Sequence, residues 1–217
     1  MPLRPAHRVV AAHQSSGHLE LDATLPGGGW PSGNITEIVS SRAGCGELKL
    51  LMPRLAELSR NGRRTLLINP PHLPYLPAWQ AAGIDQDKLD WQEALHESEF
   101  LHQVAQALAA PDCGAVVGWC HGPLSEQLTD ALQRLVASSS VLCFLLRQGR
   151  MAGAGSSFPL RLEVEPAHGG LKVCVRRGRG AVAQGTAHIP LTRPQLHPRR
   201  QPAPRASLAM AAMALAA

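Results

Sequence analysis

The sequence predicts an α/β protein with a central, mainly parallel sheet, helices on both faces and a C-terminal β-hairpin. Three observations carry that expectation. Short apolar runs alternate with segments whose apolar residues recur every three or four positions, the rhythm of strands and the helices that cover them. Gly114-Ala115-Val116-Val117-Gly118-Trp119-Cys120 is apolar throughout, as a strand covered on both faces must be. Leu160-Arg161-Leu162-Glu163-Val164 and Leu171-Lys172-Val173-Cys174-Val175 instead alternate apolar and polar residues around His168-Gly169-Gly170, the pattern of a hairpin with one wet face.

In chain order, residues 1–16 have no clear period and several Pro and His, and are expected to form a flexible arm with Arg8 to Ala12 as a short docking segment. One domain is expected over 17–192. Leu25-Pro26-Gly27-Gly28-Gly29-Trp30-Pro31-Ser32-Gly33-Asn34 is a run of turn formers, hence a loop, before the strand Ile35 to Ser40. Leu48, Leu51, Met52, Leu55 and Leu58 then follow a helical period closed by Asn61-Gly62, with Pro53 inside it predicting a kink. Arg64 to Asn69 reads as a strand halted by Pro70-Pro71, Pro77 to Ala82 as a short helix and Leu89 to Trp91 as a short strand. Phe100, Leu101, Val104, Ala105 and Leu108 make one helix face, and Leu124, Leu128, Ala131, Leu132, Leu135 and Val136 another, on either side of the strand Gly114 to Cys120. Val141 to Leu146 is a second buried strand, Gln148 to Ser157 a Gly/Ser-rich mobile segment, and 160–175 the hairpin. Residues 193–217 turn to Pro, Arg, Gln and Ala and are expected to be a disordered basic tail.

The stretch that organises the chain is Ile35 to Leu51: a β-branched strand, a small-residue loop with Gly44 and Gly46, then a helical pattern, the layout of a phosphate-binding P-loop. Its chemistry is missing. Against G-x-x-x-x-G-K-[ST], the eight residues Ser41 to Leu48 keep only Gly46; Ser41 replaces the first Gly, Glu47 the phosphate-binding Lys and Leu48 the metal-binding hydroxyl. A unit charge pair at roughly 4 Å and an effective dielectric near 20 is worth about 4 kcal/mol, so turning attraction into repulsion opposes nucleotide binding. No cofactor is expected.

Composition bounds the rest. With 217 residues the chain is long enough for a substantial single core, and with 4% aromatics that core must be mostly Leu, Val, Ile and Ala. The formal charge of +5 is uneven: Pro166 to Ala217 holds eight basic residues and no Asp or Glu, against thirteen basic and sixteen acidic residues before it. Such a tail suits an anionic partner, and DNA contact is one expectation. Cys45, Cys113, Cys120, Cys143 and Cys174 fit no zinc or disulfide spacing, Cys113, Cys120 and His121 included, which points to reduced thiols and a cytoplasmic location. Cys45, between two glycines, is the thiol placed for reactivity. No membrane span is read.

A resemblance adds to this. Gly17, Leu21-Asp22 and Leu25 to Gly29, followed by Gly33-Asn34-Ile35-Thr36-Glu37-Ile38, resemble the approach to the nucleotide site of RecA-type recombinases. Within that superfamily Leu25 to Pro31, Gly46-Glu47-Leu48, Pro70-Pro71-His72-Leu73-Pro74-Tyr75, Ala82-Gly83-Ile84-Asp85, Phe144-Leu145-Leu146-Arg147 and Arg176-Arg177-Gly178 are similar to the ImuA family of bacterial translesion-synthesis-associated proteins, and more distantly to SulA division inhibitors. The resemblance implies a RecA-like (P-loop NTPase-type) core with a degenerate nucleotide site: the strand Val116-Val117-Gly118-Trp119 ends in an indole where the Walker B carboxylate belongs, and Pro70-Pro71-His72 lacks the acid that activates water. It implies a non-enzymatic accessory of SOS mutagenesis and DNA repair, with a Y-family-like polymerase homologue, an error-prone replicative-type polymerase and RecA as partners; the alternative is a SulA-like inhibitor of division. Candidate partner or DNA contacts are Trp30, His72, Tyr75, Arg147, Arg150, Arg176, Arg177, Arg179, Arg199 and Arg200. Each has a plainer reading: Trp30 as core cover, His72 and Tyr75 as a structural loop, and the arginines as solvated strand ends or tail.

Overall fold

A computed structural model of the chain describes residues 12–42, 44–149, 158–177 and 182–191. Its strands are β1 (His13–Gln14), β2 (Trp30–Pro31), β3 (Ile35–Ser40), β4 (Arg64–Ile68), β5 (Leu89–Gln92), β6 (Cys113–Trp119), β7 (Leu142–Gln148), β8 (Leu160–Ala167), β9 (Gly170–Arg177) and β10 (Val182–Pro190). The α-helices are α1 (Leu19–Asp22), α2 (Met52–Arg60), α3 (Leu76–Ala81), α4 (Glu97–Ala109) and α5 (Glu126–Val136). An eight-stranded sheet runs in the order β10-β9-β8-β3-β7-β6-β4-β5. From β8 to β5 every neighbouring pair is parallel; β9 and β10 extend the sheet antiparallel.

The fully apolar strands do lie in the middle, and the two-residue side-chain period sends alternate residues into two cores, except that an irregularity at Gly114 puts Cys113 on the side of Val116. Ala115, Val117 and Trp119 of β6 join Leu142, Phe144 and Leu146 of β7, Leu55 and Leu58 of α2 and Trp79 of α3. Cys113 and Val116 join Cys143 and Leu145, together with Phe100 and Val104 of α4 and Leu128 and Leu132 of α5. Helices therefore cover both faces. At Gly118 α4 comes so close that a Cβ there would lie 2.5 Å from the Phe100 ring.

Three places differ from the sequence expectation. Residues 12–16, assigned to the arm, are held: β1 pairs antiparallel with β2, the Ser32 N–H donates to Ala12 O at 2.9 Å, and Ser16 is fully buried. The kinked helix from Leu48 is instead a 3₁₀ turn, Glu47–Leu50, followed by α2 with Pro53 in its first turn, where a missing N–H breaks no helical bond. And β10 was not foreseen. Its buried side chains are Ala187 and Ile189, and α1 runs against it, with Thr24 Cγ2, just beyond α1, at 2.9 Å from where a Gly185 Cβ would stand.

Candidate functional site

In a parallel α/β sheet the loops beyond the carboxyl ends of the strands are the natural place for a ligand, and the ends of β3, β4, β6 and β7 carry most of the residues singled out above. The loop after β3 bends through Gly44 and Gly46, with φ of 65° and 107°. Glu47 then turns its carboxylate back into the loop: Oε2 accepts from the Gly46 N–H at 3.1 Å and from the Cys45 thiol at 3.3 Å. Only 7% of Glu47 is exposed. The backbone donor that a phosphate oxygen would engage is thus satisfied by the chain's own anion. Leu171 and Leu191 roof the turn, since a Cβ on Gly46 would meet Leu191 Cδ1 at 3.2 Å, and Cys45 and Leu48 pack beneath it on the core. Ser41 is exposed at the loop's start. Because the turn is 3₁₀ and α2 begins only at Met52, no α-helix N-terminus follows Gly46 directly.

The same arrangement corrects the reactivity expected of Cys45. Burial pushes its thiol up to about 11, reinforced by the charge and the hydrogen bond of Glu47. Its thiol donates to Glu47, and the carboxylate beside it disfavours the thiolate that a reactive cysteine needs.

At the end of β6, Trp119 is buried and its indole belongs to the core on the α2–α3 face, so the strand ends in a hydrophobic plug. Trp30 is a second correction: it is fully buried, edge-on to Phe144 with ring centroids 5.2 Å apart, and offers no contact surface. His72 and Tyr75 lie in the loop after β4 and are exposed, Tyr75 by 71%.

Arg147 is the third correction, and it leads to a group that sequence reasoning missed. It is 91% buried and paired: Nη1 donates to Glu37 Oε1 at 2.8 Å and Nη2 to Gly122 O at 2.6 Å, while its own carbonyl accepts from Ser40 Oγ at 3.4 Å. Arg161 Nε lies 3.9 Å from the other oxygen of Glu37 and 3.7 Å from Glu163, which pairs in turn with Arg176 at 2.8 Å. Three guanidinium and two carboxylate groups thus form a row across four adjacent strands, β7, β3, β8 and β9. A row of alternating charge locks strand register and ties the β6–α5 loop to the sheet through Gly122. The signal available in sequence was a glutamate in the middle of Ile35-Thr36-Glu37-Ile38-Val39, a charge where a covered strand should have none. Arg150, Arg179, Arg199, Arg200 and the side chain of Arg177 lie outside the described residues.

Among the described residues no three His, Cys, Asp or Glu side chains come together in a way that would hold a metal ion, and no helix is long and apolar enough to cross a membrane. The chain matches no protein-family model and no curated protein.

Proposed function

We propose that this chain is a non-catalytic accessory protein of SOS-induced translesion DNA synthesis, acting through protein partners on a RecA-like scaffold whose nucleotide site is degenerate. The observation that carries the reading is Glu47: an α/β sheet carries a glycine loop after a central strand, and an internal carboxylate takes the Gly46 N–H that would otherwise be open to an anion. Trp119 at the end of β6 supports it from a second strand, because an indole neither binds a metal ion nor activates water. A chain with that scaffold works by being bound. The resemblance to the ImuA family supplies the partners: a Y-family-like polymerase homologue, an error-prone replicative-type polymerase and RecA; the basic residues of 193–205 add a salt-sensitive contact to DNA or to an acidic protein surface.

The test is removal of the gene from its host, with mutation frequency after ultraviolet exposure and cell length scored in the same cultures. Damage-induced mutation falls if the reading is right. Unchanged mutation frequency, with filamentous cells when the chain is overproduced, would replace it by a SulA-like inhibitor of division.

A further inference from the structure

Four large apolar side chains stand in water around the carboxyl ends of β4 and β5: Leu73 is 78% exposed, Tyr75 71%, Trp91 41% and Leu95 82%. The corner is fixed, not frayed. Asn69, at φ 55°, closes β4 by pairing its side chain with the Ala94 backbone in both directions, accepting at 2.6 Å and donating at 3.0 Å, and so sets the residue before Leu95 against the start of the loop that carries Leu73. Trp91 pairs with Leu67 in register, on the α2–α3 face where Tyr75 caps α3. Exposed aromatics on a rigid frame are the residue types that anchor protein interfaces.

Charge says which partner. Residues 90–99 hold Asp90, Glu93, Glu97 and Glu99 and no Lys or Arg. Asp90 is paired with Arg64, but among the described residues no cation pairs with Glu93, Glu97 or Glu99. A second copy of the chain related by two-fold symmetry would set these acids against themselves. β10, the last described strand, lies at the opposite edge of the sheet, seven strand spacings or about 34 Å from β5.

We infer that this corner is the docking surface for a cationic segment of another protein that brings apolar anchors to Leu73, Tyr75, Trp91 and Leu95. The inference rests on the reading that the chain acts by being bound, and it names the surface and the chemistry of what binds.

The test is fluorescence anisotropy of the full-length chain with two labelled twelve-residue probes, one alternating lysine with leucine and one alternating glutamate with leucine. The lysine probe should bind at least ten times more tightly. Leu73→Ser with Trp91→Ser should weaken it at least tenfold, as should Glu93→Lys alone, with unfolding midpoints confirming that each variant folds. Loss in the charge variant but not in the apolar one would reduce the effect to non-specific attraction and overturn the inference. So would concentration-dependent dimers that disappear in the apolar variant, which would make a second copy the occupant. Tighter probe binding by Arg199→Glu with Arg200→Glu would overturn it in favour of the chain's own tail. These outcomes do not depend on mutagenesis: a failed probe experiment beside a fall in damage-induced mutation removes the surface and leaves the accessory role standing, and the converse removes the role alone.

Discussion

Glu37 is buried in the central sheet with Arg147 as its closest counter-charge, at 2.8 Å. Removing one partner of such a pair leaves a desolvated charge, which typically costs about 3–5 kcal/mol. Arg147→Ala should therefore lower unfolding free energy by about that much in urea, whereas Arg147→Met combined with Glu37→Leu should lose markedly less. A double variant as unstable as the single would show that Arg147 acts through its contact with Gly122 instead. The glutamate was legible as a charge in an apolar strand; its partner was not, because 110 positions separate them and only the topology brings β3 beside β7. The buried thiols give a second expectation. Cys45, Cys113 and Cys120 are raised from the ordinary 9.0 to about 11 and Cys143 to about 12, in each case chiefly by burial. Between those values the unfolded chain gives up protons that the folded chain keeps, so stability is unaffected by these groups below pH 9 and falls as pH climbs towards 12. Urea midpoints at increasing pH should show the decline begin near 9. Glu47→Gln should lower the Cys45 value and speed its alkylation at pH 9 severalfold.

At the scale of elements, the contact between α4 and β6 depends on the absence of a side chain at Gly118. Gly118→Ala places a methyl 2.5 Å from the Phe100 ring, so α4 must shift or the ring must leave its rotamer, at about 1–3 kcal/mol. A lowered thermal midpoint checks this, and Gly118→Ala in a Phe100→Leu background should recover part of the loss. Val117 is fully buried in the same strand, and Val117→Asp should abolish soluble expression. The central strands and the two helices that flank β6 were legible because their apolar periods are long and uninterrupted. The segment Glu47 to Arg60 was legible as helical but not as two pieces, since periodicity alone does not register that a proline starts a helix as readily as it kinks one. β10 was illegible for a different reason: Gly185 and Ala187 look weak as strand residues until α1 is seen lying across them.

For the whole molecule, the loop after β3 sets the expectation on nucleotide. Calorimetry with ATP and Mg²⁺ should detect no micromolar binding, because Glu47 occupies the Gly46 donor and repels phosphate; binding at that level would sink the degenerate-site reading. The loop was legible in sequence as a glycine-containing turn with a glutamate where a phosphate-binding loop would hold a lysine, but the bond from that carboxylate back to the Gly46 N–H takes the coordinates to see. The position of β3 has one more consequence, and it concerns time. It is an early strand, but both its neighbours, β7 and β8, come from the second half of the chain. As the protein leaves the ribosome, Ile35, Ile38 and Val39 must wait unpaired on both edges until residues beyond 142 emerge, the slow non-local closure that exposes nascent sheets to mispairing. Glu37 puts a carboxylate in the middle of that otherwise sticky strand, and its counter-charges, Arg147 and Arg161, come from the same late strands β7 and β8. The pair thus acts first as a guard and afterwards as a lock.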